Sequence, residues 1–313
     1  MEYVGPFIFN GVRFVLGSAS LIPLLALNRK RRVPSPVTDI HQKQSARTDA
    51  LGGSFAGLVL FAAASLQQIG IVYTTAGKAG FITGLYVILV PILSLLWRHP
   101  VGGGTWIGAI LATMGLYFLS ITETLSISRG DLLVLVSAFF WAGHVHILGR
   151  IAPKSDSTRL AFFQFATCAL LSLLTAFLVE PVSVHSLLDA AIPILYGGIF
   201  SVGVAYTLQV FAQRTAHPAH AAIILSLEGV FAAFGGWMLL GETLSLRGVF
   251  GCSLMLAGMI LSQLHLRVKS SNSAVKGMTP EMVKWANTVA RSFEIKCCVS
   301  KKSLAKGNKT DKS

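Results

Sequence analysis

Gly52-Gly-Ser-Phe-Ala-Gly-Leu-Val-Leu-Phe-Ala-Ala-Ala-Ser-Leu-Gln-Gln-Ile-Gly-Ile-Val-Tyr73 runs for twenty-two residues without a charged side chain. A helix needs about 20 mainly apolar residues to cross a ~30 Å hydrocarbon core, so this stretch reads as a membrane span. Barrel strands are short and alternate apolar with polar residues, a pattern that continuous runs such as 52–73 contradict. The same window, moved outward, predicts helices near 7–27, 51–73, 77–97, 105–121, 130–149, 159–179, 189–211, 218–240 and 247–266. The expected fold is an all-α polytopic membrane protein with nine transmembrane helices.

Composition agrees. Of 313 residues, 53% are hydrophobic and 12% charged, with a mean hydropathy of +0.66. A soluble chain carries roughly 25% charged residues, so a disordered chain, a disulfide-stapled secreted domain and an ordinary soluble enzyme are excluded. The net charge of +13 does not point to nucleic acid, because residues 267–313 concentrate eleven Lys/Arg against Glu281, Glu294 and Asp311. Cys168 and Cys252 fall in apolar segments and Cys297 and Cys298 are adjacent, which gives no disulfide framework. No cleavable leader is expected either, since Met1-Glu2-Tyr3 lacks a basic n-region.

Loop charges orient the helices, because Lys and Arg in short loops stay cytoplasmic. Arg29, Lys30, Arg31, Arg32, Lys43, Arg47, Arg98, Arg150, Lys154, Arg159 and Arg214 lie in alternate loops. The opposite loops hold Arg129 and Arg247, together with Glu123, Glu180 and Glu242. The C-terminus is therefore expected in the cytoplasm. The chain also repeats itself at an offset of 142: Ala63, Leu66, Gln67, Ala79, Ile82 and Leu85 recur as Ala205, Leu208, Gln209, Ala221, Ile224 and Leu227. One residue of slippage later, Gly108, Leu111 and Gly115 recur as Gly251, Leu254 and Gly258. Matched helices cross in opposite directions, the inverted repeat of many secondary transporters. Such a repeat needs an odd number of helices per half, and the fifth helix has no partner. The expectation is a ten-helix 5+5 fold with its first helix missing before Met1, through a false start or a truncated gene.

The stretch Tyr73-Thr-Thr-Ala-Gly-Lys-Ala-Gly-Phe-Ile-Thr-Gly-Leu-Tyr-Val-Ile-Leu-Val-Pro91 resembles helices three to four of EamA-type transporters, within the drug/metabolite transporter superfamily. Ala205-Tyr-Thr-Leu-Gln-Val-Phe-Ala-Gln213, Ser226-Leu-Glu-Gly-Val-Phe-Ala-Ala233 and Leu240-Gly-Glu-Thr-Leu-Ser245 carry the likeness into the second half. The resemblance covers about residues 3–266. It implies a 5+5 inverted repeat in a plasma-membrane (bacterial inner membrane) permease or exporter. The halves would be 1–121 and 122–266, followed by a basic cytoplasmic tail, 267–313, with no family counterpart. Arg98-His99-Pro100 stands where family members usually close the fourth helix of the first half with an acidic-basic pair.

Ionisable groups at membrane depth cost roughly 2.5–3.5 kcal/mol each on insertion scales and default to functional candidates. Glu228 lies about ten residues into its span. It reads either as a proton or cation switch or as a protonated carboxyl hydrogen-bonded to a neighbouring helix. Lys78, and His220 as its repeat counterpart, stand at helix ends. Snorkelling is the plainer account of Lys78, anion binding the sharper one. Gly77-Lys78 is no phosphate loop, because Gly70 is too distant and Ala79 follows the lysine. Trp141 and His144 sit on the unpaired fifth helix. His144 and His146 lie about 200° apart, and His217 and His220 share a face without a carboxylate or thiolate; no metal and no cofactor are expected.

Gln67, Gln209 and Tyr206, with Tyr86 at the repeat counterpart of Glu228, are candidate cavity-lining residues; the matched glutamines favour a shared role in holding helices together. Arg13 reads as paired or snorkelling. Gly77, Gly80, Gly84 and Pro91 are placed to break or flex the third helix. In the tail, Thr279-Pro280-Glu281 opens either a short amphipathic helix over 282–293 or an unstructured basic segment. The favoured function is a secondary transporter of a small molecule, rocking about a central cavity in the lipid bilayer. A homodimer stays open, and an inactive or accessory membrane fragment is the alternative. An intramembrane enzyme fits less well, for no Ser/His, paired-Asp or His-rich constellation reaches membrane depth.

Overall fold

The computed structural model describes residues 4–30, 36–97, 101–120, 128–181, 183–240 and 245–276. Among the described residues every regular element is helical, and eight helices are long and apolar enough to cross a membrane. They are α1 (Pro6–Leu27), α2 (Ala46–Val72), α3 (Gly77–Leu96), α4 (Gly103–Ser120), α5 (Arg129–Lys154), α6 (Ser157–Val179), α7 (Ala191–Ala212) and α8 (Pro218–Met238). A shorter apolar helix, α9 (Leu246–Ser262), follows. These nine fall where the nine apolar runs predict them, and the protein is a multi-pass α-helical membrane protein. Residues 98–100, Glu123, Glu242, the segment 279–293 and Cys297-Cys298 lie outside the described residues. The chain divides into two compact units, Met1–Gln263 and Leu264–Ser313; the first carries everything that follows.

Lipid is as apolar as leucine, so membrane helices associate where small residues let backbones approach and polar groups bond. Glycine supplies that approach here. A Cβ at Gly57 of α2 would lie 2.6 Å from the Gln164 carbonyl oxygen of α6. Gly70 of α2 and Gly130 of α5 face each other's carbonyls in the same way. Between α4 and α9, a Cβ on Gly108 would meet Gly258 O at 2.7 Å and one on Gly115 would meet Gly251 O at 2.5 Å. Gly108 and Gly115 are the repeat counterparts of Gly251 and Gly258, so exchanging equivalent positions turns one contact into the other. A two-fold relation between α4 and α9 requires that exchange. Phe14, Leu60, Leu148, Leu160, Phe165 and Val202 fill the seam where α1, α2, α5, α6 and α7 meet.

Two helices are interrupted at matching places. α3 breaks at Leu85, between Ala76–Gly84 and Tyr86–Leu96; α8 breaks at Ser226-Leu227, between Pro218–Leu225 and Glu228–Leu240. Leu85 (φ −59°, ψ −15°) and Ser226 (φ −60°, ψ −18°) tighten the turn in the same way. Local chemistry explains both. Gly84 is a poor helix former placed just before the first break, as the sequence reading expects. At the second, the Ser226 hydroxyl donates to Ile223 O at 2.7 Å, the back-bonding that bends helices. In α7 the backbone between Tyr196 and Tyr206 widens into a π stretch, a feature frequent at functional sites.

Helix ends are tied by side chains. The Glu180 carboxylate accepts from Phe7 N (2.9 Å) and Ile8 N (2.8 Å) at the start of α1, satisfying two of its orphan donors at the positive end of its dipole. Ser128 and Asp131 form a capping box on α5, and the Thr74 hydroxyl donates to Asp131 from the α2–α3 turn. At the opposite, arginine-rich end, His146 Nε2 lies 2.9 Å from Val90 O, and the Arg150 guanidinium covers the Trp97 ring at 4.3 Å. Asp156 caps α6 through Thr158 N and Arg159 N, while Arg159 reaches Asp49 at 3.9 Å.

The glycine contacts generate a stability prediction. Gly115→Val drives a side chain into the α9 backbone and should cost about 1–3 kcal/mol by overpacking, read as a lower melting temperature of the purified protein. Gly143→Ala, where an added Cβ meets nothing within 4 Å, should leave the melting temperature unchanged or raise it.

Candidate functional site

The two helix breaks border one cavity of about 380 Å³. α8 contributes Glu228 with Leu227 and Phe231, α3 contributes Thr83 and Tyr86, and α5 contributes Trp141. Gln67 of α2 and Tyr206 and Gln209 of α7 complete the polar part of the wall. Glu228, Tyr86, Gln67, Trp141, Tyr206 and Gln209 are therefore brought together. His144, Lys78 and His220 are not among the lining residues.

Glu228 is the first residue after the break in α8 and is exposed to the cavity. Its carboxylate sits at the positive end of the half-helix that it opens, a favourable place for negative charge. No hydrogen bond or ion pair holds it among the described residues, so the alternative of a carboxyl bonded to a neighbouring helix is not what the structure contains. A carboxylate in such a place can take up a proton or accept a cationic group. Tyr86, its repeat counterpart, is likewise the first residue after a break. The Tyr86 and Tyr206 phenols both lie within electrostatic reach of Glu228.

Gln67 ties three helices together. Its Nε2 donates to Thr83 Oγ1 at 3.1 Å, and its Oε1 accepts from the Trp141 indole at 3.2 Å. The expectation that the matched glutamines share a role fails at this level. Gln209 Nε2 donates within its own helix, to Gln213 Oε1 at 3.5 Å, and Gln213 in turn reaches Val145 O at 3.0 Å. The reason is chemical: the repeat counterpart of Thr83 is Leu225, which offers no hydroxyl. Trp141 stands edge-on to both Tyr206 (5.9 Å) and His144 (6.0 Å), forming the aromatic floor of the cavity.

His144 lies behind that floor, 2% exposed, with Nε2 3.1 Å from Gln164 Oε1 across the α5–α6 contact. His220 is also interhelical: Nδ1 lies 2.8 Å from Ser262 Oγ and Nε2 3.4 Å from Thr105 Oγ1. His217 and His220 place their rings 6.0 Å apart. Lys78 is partly buried in the first turn of α3, within electrostatic reach of Asp131. Arg13 departs from its reading. It neither snorkels nor meets a carboxylate among the described residues; it is 9% exposed and its guanidinium packs on the rings of Phe9 and Phe14 at 5.3 and 5.1 Å. Sequence reasoning passed over Thr83, Gln164 and Asn10. Their one signal is a polar side chain inside an apolar run.

The model of the EamA-like transporter family matches residues 1–121 and 128–264. An uncharacterized transporter of Archaeoglobus fulgidus is 31% identical over 268 residues, 85% of this chain and 79% of the relative. The uncharacterized transporter YoaV of Bacillus subtilis is 22% identical over 267 residues, covering 83% of this chain and 87% of YoaV. One crystal structure at 20% identity superposes with a TM-score of 0.66 over 83% of this chain and 89% of its own, a likeness of fold.

The Gln67 bridge makes an asymmetric prediction. Gln67→Leu leaves the Trp141 indole and the Thr83 hydroxyl without their partner and should cost about 1 kcal/mol or more. Gln209→Leu, which removes one long bond within a helix, should cost a few tenths at most. Thermal unfolding of the two variants side by side tests the difference.

Proposed function

The chain belongs to the EamA-like transporter family and is a membrane transporter; from that premise we propose a secondary-active carrier that moves a small molecule by alternating access around the Glu228 cavity. The single observation that carries the reading is Glu228 itself, a carboxylate unpaired among the described residues, at a helix break and facing a cavity of about 380 Å³. Discontinuous membrane helices whose half-helix ends border a central site are the usual construction of such carriers.

Residues 1–121 and 122–266 act as the two rocking halves, with 267–313 as an accessory tail. The reciprocal glycine contact of α4 and α9 supports a hinge line between them, because exchanging equivalent positions of the two repeats maps the contact onto itself. The arginine-rich ends, the C-terminus included, face the cytoplasm of a bacterial inner membrane, which the eleven-to-two loop asymmetry supports. Glu228 alternates between a protonated state and a state paired with a cationic group of the substrate, so that proton and substrate exchange at one carboxylate. The chain performs transport without chemistry on its cargo.

The test uses the full chain in proteoliposomes with an internal pH dye and a panel of amino acids, amines and nucleosides. The expected result is a substrate-dependent proton flux in the wild type, reduced about tenfold or more in Glu228→Gln and partly kept in Glu228→Asp. A flux that persists unchanged in Glu228→Gln removes Glu228 from the coupling.

A further inference from the structure

A second cleft, of about 500 Å³, lies where the end of α5, the start of α6 and the end of α7 come together, at the arginine-rich end of the helices. Lys154, Asp156 and Ser157 line it from the α5–α6 turn, and Phe211 and Arg214 from the end of α7. Two cations thus stand beside one carboxylate, which leaves a positive charge in excess. Lys154 and Arg214 are exposed, and neither has an ion-pair partner among the described residues. The carboxylate is committed elsewhere: Asp156 Oδ1 accepts from Thr158 N at 3.0 Å and Arg159 N at 3.2 Å, which caps α6. A further acid, Asp49, pairs with Arg159 at 3.9 Å and is outside the lining.

Ser157 is the feature that the capping does not explain. It is the first residue of α6 and 2% exposed, and its hydroxyl has no hydrogen-bond partner among the described residues. A buried hydroxyl left unbonded is costly, and this one belongs to the wall of a cleft with room for an acceptor. It also stands at the positive end of a 23-residue helix, a position that favours an anion. A metal ion does not suit the cleft, since two cations oppose it and one capped carboxylate is all that the lining offers it. A group with several anionic oxygens suits it well. Separate oxygens can then meet the ammonium of Lys154, the guanidinium of Arg214 and the Ser157 hydroxyl, donors that come from two walls.

We propose that this cleft binds a phosphate group, with Lys154 and Arg214 pairing its charge and the Ser157 hydroxyl donating to one of its oxygens. The phosphate belongs to a phospholipid headgroup or to a soluble phosphate ester, and the chemistry of recognition is the same for both. Basic pockets between membrane helices at the cytoplasmic side are a known setting for lipid headgroups. Leu208 and Phe211, three apart on α7 and both exposed, supply an apolar face beside the cleft for a lipid chain. The cleft shares no lining residue with the Glu228 cavity, so the proposal stands apart from the carrier reading.

The delipidated full chain in a neutral detergent is titrated by native mass spectrometry with dioleoylphosphatidylglycerol, with phosphate-free dioleoylglycerol and with glycerol 3-phosphate. At least one phosphate-bearing probe should bind about tenfold or more tightly than dioleoylglycerol, the worth of one or two charge-assisted contacts. The double variant Lys154→Gln/Arg214→Gln should erase that margin, and Ser157→Ala should weaken phosphate binding about threefold or more. Arg47→Gln, which removes an exposed charge at the same end but outside the cleft, should leave it within about twofold. A margin for the phospholipid alone assigns the phosphate to a membrane lipid, and a margin for glycerol 3-phosphate assigns it to a solute. Binding of neither, or of dioleoylglycerol as tightly as the phospholipid, overturns the proposal. So does a margin that survives Lys154→Gln/Arg214→Gln, or one that Arg47→Gln lowers as much, which means general attraction to a basic surface. The substituted charges are exposed, and the unaltered chain decides the first outcome if any variant fails to fold.

Discussion

A lipid-facing backbone has no water to bond, so irregular backbone at membrane depth survives only where it is buried in protein or lines a cavity. The rest of this molecule depends on that constraint. α3 and α8 are interrupted at equivalent positions of an internal repeat, and both interruptions border the same cavity. Each break sets a polar residue at the start of a new half-helix, Tyr86 in one half and Glu228 in the other. The difference between them makes the site asymmetric: one half presents a phenol, the other a carboxylate that no group among the described residues pairs. A symmetric backbone thus carries an asymmetric charge.

Around the breaks the helices are held by two kinds of contact. Glycine-to-carbonyl approaches between α4 and α9 and between α2 and α6 are short-range and tolerate little change of side chain. Directed polar links cluster near helix ends: Glu180 on the start of α1, Thr74 and Ser128 on Asp131, Arg150 on Trp97. In between, the wall of the cavity is joined mainly by the Gln67 bridge and by edge-on aromatic contacts at about 6 Å. Interhelical hydrogen bonds in membranes contribute only about 0.6 kcal/mol on average, so a wall held by two of them and a few ring edges can rearrange at modest cost.

Much of this was legible in the chain. Apolar runs of span length locate the nine helices found among the described residues, a charge at membrane depth singles out Glu228, and the offset of 142 adds Tyr86, Gln67 and Gln209; all four line the cavity. Gly84 marks the break in α3. Other features lay beyond reach because a span has nearly uniform hydrophobicity and gives no helix rotation. Arg13 looks like any arginine near a helix start until packing shows it turned inward onto Phe9 and Phe14. Trp141 and His144 are three residues apart on one helix, yet one lines the cavity and the other bonds Gln164 behind it. The partner of Gln67 is sixteen residues away across a helix turn, a separation that no local pattern announces. The break at Ser226 depends on one hydroxyl bond to Ile223 O, which serines elsewhere in apolar helices make without interrupting them: Ser94 to Val90 O in α3, for one.

The central claim is that Glu228 stands in a cavity reached alternately from both sides of the membrane. The most direct measurement replaces Cys168, Cys252, Cys297 and Cys298, introduces Glu228→Cys, and exposes right-side-out and inside-out vesicles to a membrane-impermeant thiol reagent. The account predicts modification of that cysteine from both faces, slowed from each by a bound ligand. Modification from neither face, or from one face only under every condition, would contradict it.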